Sequence, residues 1–124
     1  GAAHATFVDN HRGALKTLSA NIDTLNEAAH CTVLPIKAAA LGKATLEPVD
    51  YAFLDAPYLK GLSEPALIAL AEHGWLASDA VIMVEVAADE VLDLPQGFRV
   101  VKEKRYGAAR AVFLTFNAPA EDTI

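Results

Sequence analysis

Val49-Asp50-Tyr51-Ala52-Phe53-Leu54 leads straight into Asp55-Ala56-Pro57-Tyr58, and the fold turns on that junction. The first six residues are β-prone and mostly apolar, as in a buried strand. Asp55 and Pro57 end it, because both favour turns and proline has no N–H to give a ladder. Beyond the turn, residues from Glu64 to His73 predict a helix. Ser63 is its candidate N-cap, Pro65 lies in the first turn where its missing N–H costs little, and Gly74 terminates it. The junction is therefore strand, turn, helix.

The same alternation recurs upstream. Ala5-Thr6-Phe7-Val8 is a short strand ending at Asp9-Asn10. Leu15, Leu18, Ile22 and Leu25 recur at helical spacing and predict an amphipathic helix from His11 to Glu27. Cys31 to Ile36 reads as a second strand with Pro35 at its end or on an edge, and Lys37 to Pro48 as a short helix or turn. Downstream, Ala80 to Val86 is the most uniformly apolar strand. Phe98 to Lys104 and Ala109 to Phe116 flank Tyr106-Gly107 and predict an antiparallel hairpin. Alternation followed by a hairpin defines an α/β fold, a mostly parallel sheet closed by antiparallel strands. Ligands bind such sheets at the carboxyl ends of the strands, where Asp9 and Asp55 fall.

Composition agrees with one packed domain. Of 124 residues, 53% are hydrophobic and 21% charged, which is enough apolar surface for a core and excludes a disordered tail. The single cysteine, Cys31, rules out an intrachain disulfide and points to a reducing, cytoplasmic compartment. No apolar run reaches the roughly 20 residues of a membrane span. The four histidines show no ligand spacing, so no metal site is expected. A net charge of −6 argues against tight nonspecific nucleic-acid binding, but half of the ten Lys and Arg residues fall between Arg99 and Arg110. Lys102, Lys104, Arg105 and Arg110 are therefore candidate phosphate contacts; the other reading is a solvated hairpin face.

Two sites could carry chemistry. A carboxylate, a proline-stiffened turn and an aromatic ring at a strand's carboxyl end suit a flat base bearing an exocyclic amine. The carboxylate and a turn carbonyl can accept the two N–H bonds while the ring stacks on the base. That assigns Asp55, Pro57 and Tyr58 as catalytic candidates, although the same residues also make an ordinary strand-ending turn. Asp9, with Asn10, could receive ribose hydroxyls; either could equally cap the helix that follows.

The order of these pieces resembles the RsmD-like 16S ribosomal RNA guanine-N2 methyltransferases. The residues that carry the likeness are Gly1 to Asn10, Ala14-Leu15 and Asn21-Ile22, Phe53-Leu54-Asp55-Ala56-Pro57-Tyr58 with Gly61-Leu62, Gly74-Trp75-Leu76, Ala80 to Glu85, and Lys104-Arg105-Tyr106-Gly107. The resemblance implies a Rossmann-like class I methyltransferase sheet and S-adenosylmethionine as cofactor, bound at Asp9. It also implies ribosomal RNA or the small ribosomal particle as substrate, and a (D/N)-P-P-(Y/F) motif at Asp55, Pro57 and Tyr58. Ala56 replaces the motif's first proline, and Lys37 stands near where the family places an acidic residue.

The family's first strand and glycine-rich cofactor loop would precede Gly1. Residues 1–117 are accordingly expected to be a partial methyltransferase domain lacking the first strand, a fragment of a longer parent that binds cofactor poorly alone. Residues 118–124 would be a frayed tail. The missing strand implies either direct pairing of the strands ending at Asp9 and Asp55 or self-association that fills the gap. The alternatives from other classes are a non-catalytic remnant acting as a binding module, and a receiver-like phosphoacceptor domain with Asp55 as acceptor. The latter requires a parallel final strand.

Overall fold

A computed structural model describes residues 2–55 and 61–118. The chain divides into two compact units, residues 1–40 and 41–124. The first contains strand β1 (Ala5–Val8), helix α1 (Arg12–Thr24), strand β2 (Cys31–Leu34) and 3-10 turns at Ala28–His30 and Ala38–Ala40. β1 and β2 pair in parallel, with Ala5 opposite Cys31 and Val8 opposite Leu34. Pro35 falls one residue past β2, where no ladder bond is asked of it. The helix is shorter at its C-terminal end than the spacing implied. Asn26 adopts a left-handed conformation (φ 56°), and the Leu25 and Asn26 amides close the last turn on the Asn21 and Asp23 carbonyls.

The second unit contains β3 (Val49–Leu54), α2 (Ser63–Glu72), β4 (Leu76–Ala87), β5 (Phe98–Tyr106) and β6 (Ala109–Phe116). Its sheet has the order β3-β4-β6-β5. β3 runs parallel to β4, and β6 is antiparallel to both β4 and β5. The antiparallel final strand removes the receiver-like alternative. The strands leading to Asp9 and Asp55 belong to separate ladders, so the direct pairing considered for them is not formed.

One face of this sheet holds the core. Ile82, Val84 and Val86 of β4 and Val112 and Leu114 of β6 are essentially inaccessible, as is Leu67 of α2. Their alternation with half-exposed neighbours is the two-residue period of a strand covered on one side. β4 begins earlier than its apolar run because Leu76 already pairs with Val49. The polar pair Ser78-Asp79 interrupts the pattern where the β3–β4 register shifts. Asp79 has φ 64° there, and Asn117 bridges the irregularity, accepting from the Ser78 hydroxyl at 3.0 Å and donating to Asp79 at 3.1 Å.

Helix α2 starts at Ser63, so Leu62 and not Ser63 occupies the cap position. Pro65 offers no N–H and the Ala66 amide is taken by the Leu62 carbonyl, leaving the buried Ser63 hydroxyl no amide to cap. Gly74 ends the helix at φ 76°, as its position implied. The stretch before β3 holds only a 3-10 turn at Ala38–Ala40. Within the second unit, which starts at Leu41, that residue is buried and the Trp75 indole N–H donates to the Gly42 carbonyl at 2.8 Å.

Candidate functional site

Asp9 is the first residue past β1. Its amide extends the parallel ladder to the Leu34 carbonyl at 3.2 Å, which fixes the backbone beneath the side chain. One carboxylate oxygen, Oδ1, accepts from the His11 amide at 2.8 Å. The other has no partner among the described residues. Neither Asp9 nor Asn10 caps α1, as one reading of the sequence held. The cap is His11, whose Nδ1 accepts from the Ala14 amide at 3.1 Å. Sequence preference alone hides this, because Ser, Thr, Asp and Asn are the usual caps. Asn10 is exposed.

Asp55 is the first residue past β3 and is exposed. Leu54 pairs in register with Val84 of the parallel strand β4, so Asp55 stands at the shared carboxyl end of two parallel strands. No described residue donates to its carboxylate. Pro57 and Tyr58, its companions in the motif, lie outside the described residues, as does all but the first residue of the 118–124 tail. Further along the chain, Glu64 in the first turn of α2 accepts from the Asp93 amide at 3.2 Å. The helix start and the β4–β5 loop thus frame a shallow cleft walled by Pro65, Ile68, Leu94 and Pro95.

The basic stretch is divided by the sheet. β5 shifts register between Val100 and Lys102, placing Arg99, Lys102 and Lys104 opposite Thr115, Phe113 and Ala111, on the face away from the core. In an unbroken alternation Arg99, three residues from Lys102, would point the other way from the two lysines; the bulge brings all three to one face. Lys102 Nζ lies 6.0 Å from the Phe113 ring centre, within cation–π range. Arg105 and Arg110 face each other on the opposite side and both donate to the Ala88 carbonyl, at 3.2 and 3.0 Å. Arg110 also donates to the Glu90 carbonyl at 2.9 Å and has Glu103 at 3.5 Å. Its side chain is only 19% exposed, so its guanidinium holds the β4–β5 loop. That role is invisible in a linear charge pattern.

No helix among the described residues is long and apolar enough to cross a membrane. Parallel strand pairs with carboxylates just past their ends, and an antiparallel closing hairpin, are features of the Rossmann-like methyltransferases, and solved structures of that class match the chain. A provisionally assigned methyltransferase of Escherichia coli is 28% identical, superimposes with a TM-score of 0.84, and is matched over 95% of this chain and 66% of its own length. A provisionally assigned methylase of Haemophilus influenzae is also 28% identical, with a TM-score of 0.82 over 93% of this chain and 73% of that one.

The chain belongs to the family described as Conserved hypothetical protein 95, whose model matches residues 1–115. It is 31% identical over 107 residues to the ribosomal RNA small subunit methyltransferase D of Escherichia coli, which is 86% of this chain and 54% of that protein. The enzyme of the same name from Haemophilus influenzae is 40% identical over 58 residues, 47% of this chain and 30% of the relative. The chain thus spans about half, or less, of the length of these curated relatives.

Proposed function

We propose that the chain serves S-adenosylmethionine-dependent methyl transfer to the exocyclic N2 amine of a guanine in 16S ribosomal RNA. Its partner would be that RNA or the small ribosomal particle, and its compartment the cytoplasm. The observation that carries this reading is Asp55, an exposed carboxylate at the carboxyl end of the parallel β3–β4 pair.

Asp55 accepts an N–H bond from the guanine amine, which aims the nitrogen lone pair outward and offsets the positive charge that grows on nitrogen as it attacks. Pro57 stiffens the turn, and Tyr58 stacks on the base. S-adenosylmethionine, when bound, supplies an electrophilic methyl group on sulfur. Asp9 fits its ribose, because one carboxylate oxygen is held by the His11 amide and the other is left for a hydroxyl donor; Asn10 adds a polar side chain beside it.

A chimera tests the reading: residues 1–115 replace the matched segment of the Escherichia coli relative. With tritiated cofactor and small ribosomal particles, the label is expected in N2-methylguanosine; label in any other nucleoside, or in none from a folded chimera, rejects it. For RNA contact the proposal rests on Lys102 and Lys104, which share one face of β5; Arg105 and Arg110 lie on the other and donate to loop carbonyls. Reversing Lys102 and Lys104 to Glu in the chimera is expected to weaken RNA binding at least 10-fold. The slope of log affinity against log salt should become shallower by about 1.5, as two phosphate contacts are lost. An unchanged slope removes the lysines from the interface.

A further inference from the structure

We infer that His11 is a positioning residue for Asp9 and that it works only as a neutral imidazole. Nδ1 of His11 accepts from the Ala14 amide, the third residue of α1, at 3.1 Å. The backbone amide of the same residue donates to Asp9 Oδ1 at 2.8 Å. One residue therefore ties the strand-end carboxylate to the helix start. Gly13 makes room for the ring: a Cβ there would lie 3.0 Å from His11 Cε1 and 3.4 Å from Nδ1.

Acceptance at Nδ1 requires the neutral ring with its proton on Nε2. A proton added at Nδ1 turns the acceptor into a donor and leaves the Ala14 amide without its cap. It also places a positive charge at the positive end of the helix dipole. The nearby charges oppose each other: Arg12 disfavours a cationic ring and the Asp9 carboxylate favours it. The first turn of α1 has no acidic residue and begins with Arg12, so Asp9 is the only carboxylate bonded to this turn among the described residues. No charged group from another element is in hydrogen-bond or ion-pair contact with the ring among the described residues. Ser, Thr and Asn caps cannot be switched in this way, because they have no ring nitrogen to take up a proton. When the cap is lost the first turn frays, and the His11 amide that orients Asp9 goes with it.

The inference rests on Asp9 as the cofactor hydroxyl acceptor for its functional meaning, and the test separates the two. Amide hydrogen exchange, corrected for its intrinsic pH dependence, is followed by NMR in the full 124-residue chain while the His11 imidazole signal is titrated. Protection at Ala14 and His11 is expected to fall about fivefold as the imidazole takes up its proton, the size of a lost N-cap. The His11→Asn variant, which keeps an acceptor that does not titrate, is expected to show flat protection over the same range. Flat protection in the wild-type chain, or an equal fall in His11→Asn, overturns the inference. Cofactor binding by the chimera carrying Asp9→Asn judges the other reading on its own. Undiminished binding there removes the ribose role of Asp9 and leaves the latch to be decided by exchange.

Discussion

Replacing Asp55 by Ala in the chimera is expected to lower methyl transfer by roughly 10²–10³-fold while RNA affinity changes less than about threefold, the loss seen when one preorganised partner of a developing charge is removed. The side chain is exposed and no described residue donates to it. Its loss should therefore cost the fold little, since exposed substitutions of this kind stay within about 0.5 kcal/mol. Any large effect must then be chemical. Asp55→Asn sharpens the test, because the amide keeps an oxygen that accepts from the guanine amine but loses the charge that offsets the developing cation. It is expected to fall between wild type and Asp55→Ala, with the deficit in kcat and not in KM. Single-turnover rates at saturating RNA measure both variants; equal rates for wild type and Asp55→Ala would remove Asp55 from the chemistry.

That Asp55 could be singled out at all reflects what a linear pattern encodes well. The run Val49 to Leu54 followed by Asp and Pro states where a strand stops, and the structure ends β3 at Leu54. Strand ends, the Tyr106-Gly107 hairpin and the helix stop at Gly74 were legible because each depends on a local backbone requirement. Interactions that depend on register were not. The five cations near the hairpin read as one block, but a single extra residue between Val100 and Lys102 sends three to one face. The opposite face takes Arg105 and Arg110, whose shared partner is a loop carbonyl at Ala88. The His11 cap was equally hidden, since imidazole is an uncommon acceptor at a helix start and its role shows only once Nδ1 and the Ala14 amide are placed. Ser63 failed as a cap for a related reason: the neighbouring Pro65 withholds the donor that a serine there would use.

The other large effect concerns how α2 is held. Of its ten residues only Leu67 is both large and fully inaccessible; Ala66 and Ala69 are buried but small, and Ile68 is 42% exposed. Leu67 joins Ile82, Val84, Val112 and Leu114 in one cluster, with Leu92 and Leu94 of the β4–β5 loop at its border. Leu67 is thus the main anchor of the helix, with Leu70 and Ala71 packed at the edge of the cluster, and truncating it leaves a void that flanking alanines cannot fill. Leu67→Ala is expected to destabilise the second unit by about 3–4 kcal/mol, within the usual span for buried leucines. Domains are stable by only about 5–15 kcal/mol, so the variant should approach unfolding at room temperature. Trp75, buried just after the helix stop, reports the transition through its fluorescence during urea titration. Leu67→Met, which conserves volume, is expected to cost less than about 1.5 kcal/mol. If Leu67→Ala and Leu67→Met shifted the midpoint equally, the anchoring of α2 would have to lie elsewhere. Asp55 precedes the start of α2 by eight residues in the sequence, so detaching the helix should also lower transfer in the chimera. That loss should be recovered by Leu67→Met, which distinguishes a scaffold effect from the charge effect at Asp55.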